Sequence, residues 1–424
     1  MSTQQSTPPI PGGPTGLRWG AAAAIADQGV AALTNIAVVV FVARQSTARD
    51  FASFAVVYAV FALLLGAATA YVGQALVLRR GTPAELGRHC RISVVFTLAA
   101  AAVPGGALAL VTGVLGAFGV GGGLSTGLLA LGLVLPLLLA QDATRYAFSL
   151  LGRPHHALAG DLLRLAVAVP VLAAQPYGAG PGRTVAAWGL SVLPALLLSA
   201  VLLGVATRGA GWGAGPGELR ALLGRRHLGR RFLVEFGVGN AASQLAVVAL
   251  GLCADPLAVG ALRGASTLFG PMNVLFNAAT GFGPPLLGRF PGAARQARAA
   301  AGAGGALAVV GLAWALALLL LPDRLGREVL GDTWETAARL LPATGSQYAA
   351  MAMGTCGLLL LRVLNPRATL PVQVVFSALS VLCLLGGYAV GGVLGAAWGL
   401  CLGSAAKAAA AWLRGALELR VTPA

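Results

Sequence analysis

Four charges on two neighbouring apolar helices are the residues best placed to do chemistry in this chain. Asp142 and Arg145 stand three residues apart, and so do Asp161 and Arg164, with Gly152-Arg153-Pro154 turning between them. Charges at membrane depth are costly and mark either an internal pair or a pathway. Counted from the turn, Asp142 lies level with Arg164, and Arg145 with Asp161. Antiparallel packing therefore predicts the cross-links Asp142–Arg164 and Arg145–Asp161, while the i,i+3 spacing permits pairing within each helix. One reading is a charge clamp that holds the hairpin. The other is that Arg145 or Arg164 meets an anionic substrate.

Two acids stand apart from this set. Asp27 leads a face that continues through Ala31, Thr34 and Asn35, and Glu235 leads one with Asn240, Ser243 and Gln244. Each is a candidate ion-coupling carboxylate. A third stripe, Ser266, Gly270, Asn273, Asn277, Thr280 and Pro284, recurs at helical steps. Its counterpart is Ala55, Ala59, Ala62, Gly66, Thr69 and Gly73. A stripe of small residues serves tight helix packing. One with two asparagines suits either a wet cavity or buried interhelical hydrogen bonds. Asn35, Thr69, Asn240, Gln244, Asn273 and Asn277 are the candidate polar substrate contacts, with Arg145 and Arg164.

The elements that position these residues are membrane helices. Hydrophobic residues make up 57% of the chain and charged ones only 10%, against roughly 25% charged in a soluble domain. Mean hydropathy is +0.82. About 20 apolar residues span a bilayer as a helix, and backbone facing lipid must be hydrogen-bonded internally. Spans are expected near 20–43, 52–78, 92–116, 124–148, 156–175, 185–207, 232–253, 262–287, 299–321, 340–363, 368–389 and 393–413. The fold class is an all-α polytopic membrane protein of about twelve helices in two six-helix pseudo-symmetric bundles. The bundles cover 18–207 and 232–413. A polar tail (1–17), a basic linker (208–231) and a short C-terminal tail (414–424) complete the chain.

The halves echo each other. Ala-Ala-Thr-Ala-Tyr at 67–71 matches Ala-Ala-Thr-Gly-Phe at 278–282, an offset of 211 (278 − 67). One helix earlier, Ala-Ala-Leu-Thr-Asn at 31–35 faces Ala-Ala-Ser-Gln at 241–244. Two matches in one order indicate a duplicated bundle, the design of many transporters with a site between their halves.

The formal charge of +16 follows from arginines in the loops. With the N-terminus inside, Arg79, Arg80, Arg88, Arg91, Arg153, the 208–231 cluster, Arg289, Arg295, Arg298, Arg362 and Arg367 all fall on one side. The positive-inside rule then puts both termini in the cytoplasm. The start of the chain has no basic region leading into an apolar core and cleavage site, so no signal peptide is expected. The five cysteines form no CxxC pair and are read as apolar packers. His155-His156 has no matched ligands, and no P-loop occurs. No metal, cofactor, nucleic-acid partner or soluble catalysis is expected.

The first two spans, Ala26-Asp27-Gln28-Gly29, Leu33-Thr34-Asn35, Ala43-Arg44 and Asp50-Phe51-Ala52-Ser53-Phe54-Ala55, carry a resemblance. So do Gln141-Asp142-Ala143-Thr144-Arg145-Tyr146 and Gly152-Arg153-Pro154 with Asp161. These stretches resemble the O-antigen (polysaccharide) flippases of the multidrug/oligosaccharidyl-lipid/polysaccharide (MOP) exporter superfamily. The resemblance implies a V-shaped bundle in the bacterial cytoplasmic membrane, with a cavity lined by spans 1, 2, 7 and 8. It implies flipping of a polyprenyl-diphosphate-linked oligosaccharide, with membrane lipids and polysaccharide-synthesis enzymes as candidate partners. The chain departs from that pattern in charge, because spans 1, 2, 7 and 8 carry almost no mid-depth arginine to meet a diphosphate. An ion-coupled drug or small-metabolite antiporter of the same fold is the alternative.

Overall fold

The computed structural model describes residues 14–119, 122–210, 216–225, 227–239, 262, 264–330 and 334–421. Among the described residues there is helix and no strand, as lipid solvation demands of a chain this apolar. The first half runs α1 (Pro14–Gln45), α2 (Ala48–Ala68), α3 (Pro83–Ala117), α4 (Gly122–Leu150), α5 (Pro154–Ala173), α6 (Pro181–Leu190) and α7 (Leu193–Ala206). Linker helix α8 (Pro216–Leu223) follows, and α9 occupies 229–239. The second half continues with α10 (Gly270–Leu287), α11 (Ala293–Leu319), α12 (Asp323–Leu330), α13 (Trp334–Leu364) and α14 (Thr369–Val421).

Nine described helices are long and apolar enough to cross a membrane. The last supplies two spans, because non-helical Gly391 and Gly392 (φ +59°) fold it back on itself. The chain is thus a multi-pass membrane protein. Several ends differ from expectation. α1 begins at Pro14, inside the expected tail. α3 begins at Pro83 rather than at 92 because Thr82 and Glu85 form a reciprocal capping box, which satisfies two otherwise orphaned N–H groups. The sixth span breaks into α6 and α7 beside Pro194, whose ring cannot share a continuous turn with the preceding carbonyls. The expected tail at 414 onward is helical to Val421, supported by an Arg414–Glu418 pair at 2.8 Å.

Each half has its own apolar core. In the first, Trp188 of α6 is buried among Phe54, Tyr58 and Phe61 of α2, meeting Phe61 edge-on at 4.9 Å. In the second, Phe269 stacks on Tyr348 of α13 at 4.6 Å. The halves meet at their arginine-bearing ends. Ser149 of α4 donates to the Gly281 carbonyl of α10 at 2.9 Å. Gly66 of α2 lies against the Phe236 ring of α9, and Gly229 against the Tyr71 carbonyl.

Candidate functional site

Two buried acid–arginine clusters occupy matching places in the two halves. In the first half the hub is Arg145 on α4. Its Nη2 reaches Asp27 Oδ2 at 3.0 Å, its Nη1 reaches Asp142 Oδ1 at 3.2 Å and its Nε lies 3.1 Å from Asp161 Oδ2. Asp27, from α1, is fully buried and Asp161, from α5, is 1% exposed. Asp142 also accepts a hydrogen bond from Thr69 at 3.0 Å. Thr69 opens a single π-helical turn, Thr69–Gly73, that continues α2. Such turns occur often at functional sites.

This arrangement keeps one expected cross-link and corrects the other. Arg145 and Asp161 meet across the hairpin. Asp142 and Arg164 do not, because Asp142 turns toward α2 and pairs with Arg145 of its own helix. Arg164 is within electrostatic range of Asp161 and Asp142, yet its buried Nη2 makes no hydrogen bond. Counting depth from a turn gives the level of a residue along the helix axis, but not its direction around it. Asp27 lies on one continuous helix with Thr34 and Asn35, and the structure gathers it into the cluster, which the face alone does not reveal.

The cluster is under-satisfied in one place. Asp27 Oδ1 and both oxygens of Asp161 are buried without a hydrogen-bond partner, because the Arg145 Nε–H aligns on Asp27 rather than on Asp161. Both carboxyl groups crowd the same Arg145 nitrogen, Nε, with Asp27 Oδ2 at 3.2 Å and Asp161 Oδ2 at 3.1 Å. Two carboxylates drawn to one nitrogen repel, and one shared proton would convert repulsion into a hydrogen bond. Three acids around Arg145 and Arg164 leave one negative charge uncompensated (3 − 2), and a single proton removes it.

In the second half, Glu235 of α9 is 3% exposed and pairs with Arg362 of α13 at 3.2 Å. The Thr369 hydroxyl donates to its other oxygen. The Arg362 guanidinium lies over the Phe232 ring, 5.1 Å from the centroid, a geometry in which the ring face attracts the cation. Lys407 on the returning arm of α14 is within electrostatic range of both Arg362 and Glu235. The balance here is one positive charge in excess (2 − 1). A cavity of about 300 Å³ opens beside the pair, with Gln74 from the first half and Gln373 from α14 in its wall.

Asp27–Arg145 joins the first and fourth spans, and Glu235–Arg362 joins the helices expected as the seventh and tenth. Arg362 stands in the last turn of α13 rather than in the loop where the arginine pattern predicts it. The resemblance implies cations on spans 1, 2, 7 and 8, whereas both second-half cations arrive from later helices.

The remaining candidates scatter. Asn35 is half-buried on α1. Asn273 and Asn277 are exposed on α10, and Asn273 reaches the Tyr348 hydroxyl at 3.5 Å. Thr280, the repeat partner of Thr69, spends its hydroxyl on its own helix, at the Phe276 carbonyl. The threonine hydroxyl therefore serves the charge cluster only in the first half. Gly66 and Gly73 of the small stripe are packing positions, against Phe236 and Tyr146. Asn240, Ser243 and Gln244 lie outside the described residues.

No family model and no curated protein matches the chain. Its fold does match solved structures. Vibrio cholerae MATE transporter VcmN in the bent form is 15% identical with a TM-score of 0.72, over 96% of this chain and 98% of that one. A MOP superfamily transporter from Pyrococcus furiosus, described as having a binding pocket of reversed polarity, is 14% identical with a TM-score of 0.69, covering 96% of each chain. An outward-facing multidrug resistance MATE transporter of the MOP superfamily is 14% identical with a TM-score of 0.70, again over 96% of each chain. At these identities the likeness is one of fold. It agrees with the all-α polytopic fold expected from the sequence and leaves the flippase branch resting on the sequence resemblance alone.

Proposed function

We propose that this chain is a proton-coupled secondary transporter of the bacterial cytoplasmic membrane. It exchanges protons for a small amphiphilic solute by rocking of its two halves. The observation that carries this reading is the pair of buried carboxyl groups of Asp27 and Asp161, both drawn to the Arg145 Nε and both with unpartnered oxygens. A proton binding there drives transport only through its differential affinity for the two states. The geometry supplies that difference. Asp27 is on α1, Asp161 on α5 and Arg145 on α4, so a shift of α1 changes the distance over which the proton is shared. The arginine bias supports both termini in the cytoplasm. The fold likeness to MATE transporters supports drug or metabolite exchange over saccharide flipping.

Proteoliposomes with an imposed pH gradient and a fluorescent organic cation test this. Asp27→Asn keeps the shape of the side chain and its contact with Arg145, and removes the titration. Gradient-driven accumulation is expected to fall at least ~10-fold, the equivalent of about 1.4 kcal/mol of lost coupling, with folded yield near wild type. Accumulation that still follows the gradient in the variant would reject Asp27 as the coupling group.

A specific observation favours a second reading, flipping of a polyprenyl-diphosphate-linked saccharide. Arg362 and Lys407 outweigh Glu235 beside a cavity carrying two glutamines. Guanidinium pairs well with phosphate oxygens, and side-chain amides suit sugar hydroxyls. Under this reading Arg362→Gln lowers flipping of such a lipid at least ~10-fold and leaves proton-driven cation exchange unchanged. Equal flipping by variant and wild type would discard it.

A further inference from the structure

A second cavity lies away from both charge clusters, between the linker and the first half. It has a volume of about 140 Å³, close to the roughly 150 Å³ of an engineered protein cavity that holds benzene. Its walls are largely apolar, with Val72 in the π turn that continues α2, Leu76 just beyond it, Ile92 of α3 and Leu222 of α8. Arg79, His89, Ser93, Glu218 and His227 also line it.

Two of these residues end in buried atoms without a hydrogen-bond partner, Nε2 of His227 and Oε2 of Glu218. His227 is 9% exposed. Its Nδ1 accepts the Gly229 N–H at 3.3 Å, so in the neutral ring the proton sits on Nε2. Burial, and next the Arg79 guanidinium, hold this imidazole below its ordinary value of 6.5 and keep it neutral. Glu218 turns its other oxygen outward to Arg88 at 3.6 Å. The cavity therefore presents one orphan donor and one orphan acceptor within apolar walls.

The chemistry of the occupant follows. An anion would crowd the Glu218 carboxylate, and a cation would face Arg79 and an imidazole N–H. Water needs two to four polar partners, which the apolar walls do not supply throughout this volume. A flat neutral ring with a donor and an acceptor on its rim satisfies both orphans and fills the remainder. The platform around it is fixed. The Tyr71 hydroxyl donates to the Leu222 carbonyl at 2.8 Å, and the His227 ring packs on Tyr71 at 5.0 Å. Arg91 clamps the end of α7 through Thr207 and the Ala210 carbonyl.

We propose that this cavity binds a small neutral heterocycle of the nucleobase type, with a ring N–H toward Glu218 Oε2 and a carbonyl or ring nitrogen toward His227 Nε2–H. Occupied, it ties α8 to α2 and α3 just before the chain enters the second half at α9. It is thus an effector site on the linker, separate from the transport path.

Isothermal titration of the purified full-length protein in detergent tests it, with uracil, cytosine and adenine as probes and benzene and inorganic phosphate as controls. At least one base is expected to bind saturably at one site and more tightly than either control. Glu218→Gln, on a partly exposed helix, and His227→Phe, which keeps the ring packed against Tyr71, each weaken it at least ~10-fold, as loss of one buried hydrogen bond does. Leu222→Trp fills the cavity and abolishes binding. The proposal is overturned if no base binds, if benzene or phosphate binds as tightly, or if Glu218→Gln and His227→Phe leave the affinity unchanged. Because the readout is binding, these outcomes are independent of what the chain transports.

Discussion

Arg145→Leu is expected to yield almost no protein that survives extraction as a monodisperse species. One guanidinium holds three carboxylates within 3.2 Å, and two of those are essentially inaccessible to water. Removing one partner of a buried pair costs about 3–5 kcal/mol because the remaining charge is left uncompensated. Here three charges lose their common partner, against a total stability on the order of 5–15 kcal/mol for a folded protein. Arg145→Lys recovers only part, because an ammonium lacks the planar fork that serves several acceptors at once. Arg145→Leu combined with Asp161→Asn recovers more, since it deletes the acid whose oxygens are already unpartnered. Thermal unfolding in detergent, followed by size-exclusion chromatography, reads all three. A single variant with wild-type melting would show that the cluster is hydrated and that Arg145 is not its hub. Arg362→Leu is expected to be milder, because only Glu235 is stranded and Thr369 still donates to it.

The fold was largely legible because the bilayer leaves few choices. Apolar runs of span length, loops rich in arginine and one echo between the halves suffice for an all-helical bundle of this kind. The first-half cluster was half legible. Asp142, Arg145, Asp161 and Arg164 announce themselves as charges within apolar helices, and their order across a tight turn gives one contact correctly. Asp27 joins from 118 residues away in sequence, and no local pattern carries that information. Arg164 was assigned a partner it lacks because depth along a helix is readable from spacing, while the azimuth depends on packing against α2.

The second-half cluster was missed for a different reason. The repeat offset of 211 maps Thr69 onto Thr280, but it carries Arg145 to 356, a cysteine six residues short of Arg362. A single fixed offset therefore does not bring Arg145 and Arg362 into register. The missing second-half partner of Glu235 is found only by asking which arginine at the end of a span has an acid to meet. The linker pocket was invisible in the sequence, because 208–231 reads as punctuation and positive charge. Its cavity exists only once α8 caps the ends of α2 and α3.

The hairpin made by the two arms of α14 sets the second large effect, which is mechanical. Gly395, Gly399 and Gly403 recur every fourth residue on the returning arm. A Cβ at Gly399 would stand 2.0 Å from the Cys383 carbonyl oxygen, one at Gly395 2.1 Å from that of Gly387, and one at Gly403 2.6 Å from the Ser380 Cα. These neighbours are backbone, so no rotamer change relieves the overlap. In lipid, association of two apolar helices gains little from apolar burial and depends on close approach of this kind. Gly399→Leu should therefore insert normally but splay the arms. Overpacking within a compliant core costs about 1–3 kcal/mol, and an obstacle made of main chain yields less than side chains do. The consequence reaches the candidate site, because Lys407 lies two turns beyond Gly399 on the same arm and is carried away from electrostatic range of Arg362 and Glu235. Both stability and any transport that needs the second-half cations should collapse together. Gly386→Ala is the matched control, since a Cβ there meets nothing within 4 Å. It should melt as the wild type does. If Gly399→Leu also keeps wild-type melting and transport, the two arms do not pack as a glycine-sealed hairpin, and the placement of Lys407 falls with it.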